Sequence, residues 1–171
     1  DMVVYCAGVY SPMRAWEIDL PVLRDALTIN LQGDYNLLDA ISPVYVEKGA
    51  GNICLVSSVA GYTGLPKALA YGPGKAALIN LAQILYTDLS PRGVGVYLVN
   101  PGFVETRLTQ KNDFNMPALI KPEEAAERIL AGIGKGRFEI HFPKRFTVWM
   151  KWLGRMPDRI RFYLLGKAVQ S

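Results

Sequence analysis

Ser58, Tyr71 and Lys75 are the residues of this chain whose types and spacing best suit chemistry. Ser58 closes the apolar run Ile53-Cys54-Leu55-Val56-Ser57-Ser58, which predicts a buried strand and its exit. Tyr71 and Lys75 stand four positions apart at the start of a helical pattern, so their side chains share one helical face. A phenol alone titrates near pH ~10, and a neighbouring ammonium favours its anion. Lys75 is therefore expected to depress the Tyr71 pKa. A serine hydroxyl at the nearby strand end could hold a substrate oxygen while the tyrosine gives or takes its proton.

The bare Tyr-x-x-x-Lys spacing also occurs on ordinary solvated helices, so the surroundings decide its meaning. The loop Val59-Ala60-Gly61-Tyr62-Thr63-Gly64-Leu65-Pro66 is rich in small residues and permits close approach of a ligand or of another backbone. Pro73 is tolerated in a first helical turn and places the helix start close to Tyr71. With its Ser, its Tyr thirteen residues later and its Lys four beyond, the stretch from Leu55 to Leu78 resembles the short-chain dehydrogenase/reductase family. Three other elements resemble the same family in the same order. Met2-Val3-Val4-Tyr5-Cys6-Ala7-Gly8 is similar to its strand ending in Asn-Ala-Gly, with Cys6 in place of the usual Asn. Asn30 lies mid-helix in Thr28-Ile29-Asn30-Leu31-Gln32-Gly33, where Asn is a poor helix former. Asn100-Pro101-Gly102-Phe103-Val104-Glu105-Thr106 follows a strand and is similar to the family's Pro-Gly-x-Val-x-Thr element.

The resemblance implies a set of roles. Tyr71 would be the acid in carbonyl reduction and the base in alcohol oxidation. Lys75 would hold the nicotinamide ribose, Ser58 the substrate oxygen, and Asn30 a water that links the lysine to solvent. Ala7, Gly8, Pro101, Gly102, Val104 and Thr106, with Tyr71 and Lys75, would contact an NAD or NADP cofactor. The implied fold is an α/β, Rossmann-like, doubly wound parallel sheet. The family's opening strand and Gly-rich turn, which bring the pyrophosphate to a helix N-terminus, have no counterpart in this sequence. The chain is accordingly expected to be the C-terminal part of a longer protein, a Rossmann fold truncated at its N-terminal half. Its first strand is apolar on both faces, as a central strand of a parallel sheet would be.

At 171 residues the chain suffices for about one domain. Half of it is apolar and a fifth charged, an ordinary globular balance. No run approaches the ~18 apolar residues of a spanning helix. Cys6 and Cys54 both lie in apolar runs and read as buried, reduced thiols, which fits a cytoplasmic compartment. His141 is the only histidine, and no cluster has metal-ligand spacing.

The elements that must position the site follow from caps and periodicity. Asp19 and Pro21 open a helix with Leu23, Leu27, Leu31, Leu38 and Ile41 along its apolar stripe. A second helix runs from near Tyr71 to about Ser90, ended by Pro91 and Gly93. Strands are expected over 94–99 and 137–142, with a helix from Pro122 to near Gly132. Strands alternating with helices argue for a parallel sheet with right-handed crossovers. The polar segment 107–117 would, by the resemblance, be a lid over the substrate. Tyr62, Leu65 and Leu69 suggest a mainly apolar pocket and hence an apolar carbonyl or alcohol substrate.

We divide the chain into residues 1–143, the Rossmann part, and a basic amphipathic helical tail, 144–171. The tail carries Lys144, Arg145, Lys151, Arg155, Arg159, Arg161 and Lys167 against Asp158 alone, interleaved with aromatic and aliphatic residues. Pro157 splits it into two helices. Two readings stay open: the helices fold back over the substrate pocket or a second subunit, or they meet a membrane surface peripherally. Contact with nucleic acid is the reading least supported. The expectation is an NAD(P)-dependent oxidoreductase, homo-oligomeric in its intact form. Its alternatives are a non-catalytic nucleotide-binding or scaffolding relative, or a fragment inert by itself.

Overall fold

The computed structural model describes residues 1–109 and 116–170, with side chains through residue 167. Four strands, β1 (Met2–Tyr5), β2 (Gly51–Val56), β3 (Val94–Pro101) and β4 (Glu139–Phe142), form one sheet in the order β1-β2-β3-β4. Every pairing is parallel, with Val4 opposite Cys54, Leu55 opposite Leu98, and Asn100 opposite His141. This is the α/β, Rossmann-like architecture expected from the alternation of strands and helices.

Alternation along the strands makes two apolar faces. Ile53, Leu55, Val94, Val96 and Leu98 point to one side, where they meet Leu38 and Tyr45 of α2 (Gly33–Lys48) and Leu78, Leu81 and Ala82 of α3 (Gly72–Leu89). Cys54, Val99, Ile140 and Phe142 point to the other and meet Ala125 of α4 (Pro122–Ile133). Fully buried side chains such as Ile53, Leu55 and Leu98 each contribute roughly 1.5–3 kcal/mol of burial.

The first helix is interrupted where Asn30 stands. Asp19 caps α1 (Leu20–Leu27) by accepting from the Val22 amide at 3.1 Å, with Pro21 in the first turn. Residues Thr28–Gln32 then form a π turn, and α2 resumes at Gly33. Such an inserted turn shifts the helical register, so the apolar stripe read from the sequence as continuous belongs to two helices. The expected break at Pro157 is present, between α5 (Lys144–Arg155) and α6 (Asp158–Gln170).

One sequence expectation needs correction. Cys54 is buried but Cys6 is exposed, because it follows the end of β1 and no described segment covers it. β1 lies at one edge of the described sheet, with Val4 half exposed; its expected central position concerns the sheet of a longer protein. Of the expected lid, residues 110–115 lie outside the described residues. No described helix is long and apolar enough to cross a membrane.

The turn from β2 into α3 is held by close packing on one atom. The Ser57 hydroxyl donates to the Lys75 carbonyl at 2.7 Å. A Cβ on Gly61 would lie 2.7 Å from that same oxygen and 2.7 Å from Ile79 Cδ1. Gly61→Ala is therefore expected to lower stability by roughly 1–3 kcal/mol. Gly64→Ala, whose Cβ would meet nothing within 4 Å, should leave the urea midpoint nearly unchanged. Equal midpoints for the two variants would contradict this packing.

Asp34 is the exception within the core. It is fully buried in the first turn of α2, and neither carboxyl oxygen has a hydrogen-bond partner in another residue. Burial pushes its pKa up to about 7 against the opposing pull of Lys75. The folded state thus keeps this proton to about pH 7 while the unfolded chain releases it near the ordinary carboxylate value. Asp34 therefore favours folding below about pH 4, and that contribution is lost as pH rises through 7. Asp34→Asn should flatten the fall in urea stability between about pH 4 and 7, leaving the variant the more stable above it. Parallel pH profiles for the two proteins would refute this.

Candidate active site

Several candidate residues follow the C-terminal end of a strand, where parallel α/β sheets open a crevice. Cys6 to Gly8 follow β1, Ser57 and Ser58 follow β2, and Gly102 to Thr106 follow β3. Ser58 starts a short 3₁₀ turn, Val59–Gly61, and its Oγ accepts from the Ala60 amide at 3.1 Å. Tyr71 sits at the N-cap of α3, with Pro73 in the first turn. Its carbonyl accepts from the Lys75 amide at 3.1 Å, so phenol and ammonium are set by one helical turn.

The sequence-selected trio converges. The Ser58 hydroxyl lies close enough to the Tyr71 phenol to pull its pKa down. The Lys75 ammonium lies 5.6 Å from the Tyr71 ring centroid and donates to the Val56 carbonyl at 2.9 Å. Asn30 joins them from the π turn. Its Oδ1 accepts from the Val9 amide at 2.8 Å and its Nδ2 donates to the Val9 carbonyl at 2.9 Å. Asn30 thereby clamps the segment that carries Gly8, where a Cβ would lie 3.4 Å from Asn30 Oδ1 and 3.7 Å from Lys75 Nζ. The clamp uses one acceptor site and one N–H of the Asn30 amide.

The electrostatics differ from the expectation for the phenol. Burial pushes the Tyr71 pKa up to about 12, the Ser58 hydroxyl pulls it down, and Cys6 and Tyr10 act with burial. Burial of the phenol outweighs any pull from Lys75, whose ammonium donates to the Val56 carbonyl. Burial lowers the Lys75 pKa, with Asp34 acting in the opposite direction. The phenol is accordingly an acid that keeps its proton at neutral pH.

Ala7 and Gly8 are exposed beside this group. The Pro101 to Thr106 element is pinned by residues that sequence reasoning did not single out. Glu105 N–H donates to the Ile120 carbonyl at 2.9 Å, and the Ile120 amide donates to the Phe103 carbonyl at 3.1 Å. The Thr109 hydroxyl lies 2.8 Å from the Val104 carbonyl oxygen and accepts from the Thr106 amide at 2.9 Å. Thr106 itself is exposed.

A partly buried ionic cluster supports the same region. Tyr62 OH donates to Glu139 Oε1 at 2.5 Å, Asn100 Nδ2 donates to the same oxygen at 2.9 Å, and Lys151 pairs with Oε2. Burial alone would raise the Glu139 pKa, but hydrogen bonds from Lys151, Tyr62 and Asn100 outweigh it and hold the carboxyl below its ordinary value. The cluster ties the loop after Ser58 to β3, β4 and α5. Nothing in the local sequence around Glu139 or Lys151 marks the pair, which meets across twelve positions through the fold.

Tyr62, Leu65 and Leu69 do line an open cleft of about 560 Å³, together with Met13, Trp16 and Pro73. Ser58 and Tyr71 do not line it. Its lining includes Ala60, two positions beyond Ser58, and Gly72, next to Tyr71.

Comparison with known proteins places the chain in a family. A family model described as short chain dehydrogenase matches residues 1–116. An uncharacterized oxidoreductase of Myxococcus xanthus is 36% identical over 158 residues, covering 92% of this chain and 62% of the relative. A 3-oxoacyl-(acyl-carrier-protein) reductase of Thermotoga maritima is 34% identical over 138 residues, covering 81% of this chain and 52% of the relative. The chain thus spans between half and two thirds of the length of these relatives. Among solved structures, a short-chain dehydrogenase of Sphingobium yanoikuyae in complex with NADPH superposes with a TM-score of 0.80 at 23% identity, covering 96% of this chain and 64% of that one. That last likeness speaks for the fold. With more than half of its length matched by the family model, the chain belongs to the short-chain dehydrogenase family of oxidoreductases.

Proposed function

We propose that this chain supplies the reaction centre of an NAD(P)-dependent carbonyl reductase or alcohol dehydrogenase. The observation that carries the reading is the convergence of the Ser58 hydroxyl on the Tyr71 phenol, whose pKa it lowers, with the Lys75 ammonium 5.6 Å from the phenol ring. A nicotinamide cofactor, when bound, supplies or accepts the hydride at the substrate carbon. Tyr71 gives its proton to the carbonyl oxygen in reduction and takes it back in oxidation. Ser58 donates a hydrogen bond to the same oxygen as negative charge builds there. Lys75 would hold the ribose of the cofactor, and Asn30 a water that links the lysine to solvent.

The residues present fit such a cofactor. Gly8 leaves open the space that a side chain would fill against Asn30 and Lys75. Ala7, Gly8, Pro101, Gly102, Val104 and Thr106 would line its nicotinamide end, on the crevice side of the strand termini. Either NAD or NADP suits them. The relative from Thermotoga maritima is named for a ketone substrate, and the solved structure from Sphingobium yanoikuyae carries NADPH; both support the reading. The apolar walls of the neighbouring cleft support an apolar carbonyl or alcohol as substrate. Tyr35 and Val44 on α2 and Ile84 and Tyr86 on α3 are exposed apolar positions, which supports pairing of these helices between subunits.

In the intact protein, Tyr71→Phe should retain cofactor binding, followed by nicotinamide fluorescence, and lose turnover by at least about a hundredfold, the low end of general acid–base contributions. Turnover within a few fold of the unmodified protein would refute the assignment of Tyr71. Raised pH should also matter. The phenol supplies a proton in reduction only below its pKa, so reduction is expected to hold through neutral pH and fail on the alkaline side. A reductive rate that rises steadily to pH 10 would contradict an acid role.

A further inference from the structure

The tail helices present two different faces. Inward, Met150 and Leu153 of α5 are buried against Val59, with Tyr62, Leu65 and Leu164 packed around them. Outward, α5 sets Arg145, Val148, Trp149, Trp152 and Arg155 along one side, at helical spacing. Val148 is 48% exposed, Trp149 47% and Trp152 65%. On α6, Ile160, Phe162 and Tyr163 are 51%, 59% and 60% exposed. The two readings of the tail are thus compatible, since one face is used in folding and the other is not.

The charge on this outer surface has one sign. Lys144, Arg145, Arg155, Arg159 and Lys167 are exposed. The single acid, Asp158, is paired with Arg161. Residues 144–171 hold seven basic residues against one acidic, whereas residues 1–143 hold twelve against fourteen. The cationic groups are therefore concentrated where the large apolar side chains are exposed. The body of the chain is slightly anionic.

We propose that the outer face of α5 and α6 is a docking surface for an anionic phospholipid membrane, bound peripherally. Exposed Trp, Tyr and Phe between Arg and Lys suit the headgroup boundary, where rings enter the apolar zone and cations meet lipid phosphates. A second copy of this chain is a poorer occupant, because a two-fold contact would bring two strongly basic patches together. The docked helices would also bring the cleft close to the lipid, since Tyr62 and Leu65 lie beneath α5 and line its wall. An apolar substrate could then pass from the bilayer.

The test is co-sedimentation of the intact protein with vesicles of phosphatidylcholine alone or with 30% phosphatidylserine added. Point variants are used because removing the tail would uncover Val59 and Tyr62. Partition onto the anionic vesicles should exceed that onto neutral ones by on the order of tenfold and fall with added salt. Trp149→Ser with Trp152→Ser, and separately Arg145→Glu with Arg155→Glu, should each reduce it by on the order of tenfold without changing the unfolding midpoint. Tryptophan emission should shift to the blue on the anionic vesicles only in proteins that retain both tryptophans. Equal pelleting of all three proteins would overturn the proposal. So would absence of vesicle binding together with self-association that the Trp149/Trp152 variant abolishes, which would assign the face to a second copy. None of these readouts depends on turnover.

Discussion

The carbonyl oxygen of Lys75 is the point on which the site depends. The Ser57 hydroxyl donates to it at 2.7 Å, and Gly61 packs so close that even one added methyl group would collide with it. Ser58 lies between these two residues, so its position relative to the first turn of α3 is set by backbone contact. The helix in turn sets Tyr71 and Lys75 by its own geometry, four residues apart. Two hydroxyls and an ammonium are brought together from residues 58 to 75, across the loop Val59 to Ala70, by the packing of Ser57 and Gly61 on the Lys75 carbonyl oxygen.

Around that junction the environment is dry. Burial raises the phenol pKa and lowers that of the ammonium, and it leaves Asp34 without a partner in the next turn of α2. Buried ionisable groups of this kind cluster at functional sites. An unpaired buried carboxyl also costs stability unless it keeps its proton. The neighbouring Glu139 cluster shows the opposite solution, in which a carboxylate keeps its charge by receiving three hydrogen bonds. One acid is thus fully satisfied where it ties down structure, and the other is left unsatisfied close to the reaction centre.

The residues that could be read in advance are those whose role is local. Asp19 with Pro21, Pro73 beside Tyr71, and Pro157 between the tail helices each act within a few residues, and each stands where its local chemistry placed it. Ser58, Tyr71 and Lys75 were readable because strand exit and helix start are short-range signals. What escaped the sequence depends on tertiary neighbours. Cys6 looks like a core residue in its apolar run, and only the edge position of β1 exposes it. The π turn at Asn30 is a shift of hydrogen bonds that no residue type demands. Asp34 resembles any helix-start acid until α2 packs it inward. Glu139 and Lys151 are ordinary surface charges until β4 and α5 fold against the loop at Tyr62. The cleft walls were identified correctly, but their offset from the reacting hydroxyls follows from the course of the loop.

The account stands or falls on a single shared reaction centre at Ser58 and Tyr71. Its most direct test is a crystal structure of the intact protein with a nicotinamide cofactor and an alcohol or ketone inhibitor. The account predicts one ligand oxygen within about 2.6–3.2 Å of both the Ser58 and Tyr71 hydroxyl oxygens, with Lys75 on the ribose and the cofactor against Gly8. A ligand oxygen bound in the cleft between Trp16 and Tyr62, away from both hydroxyls, would contradict it.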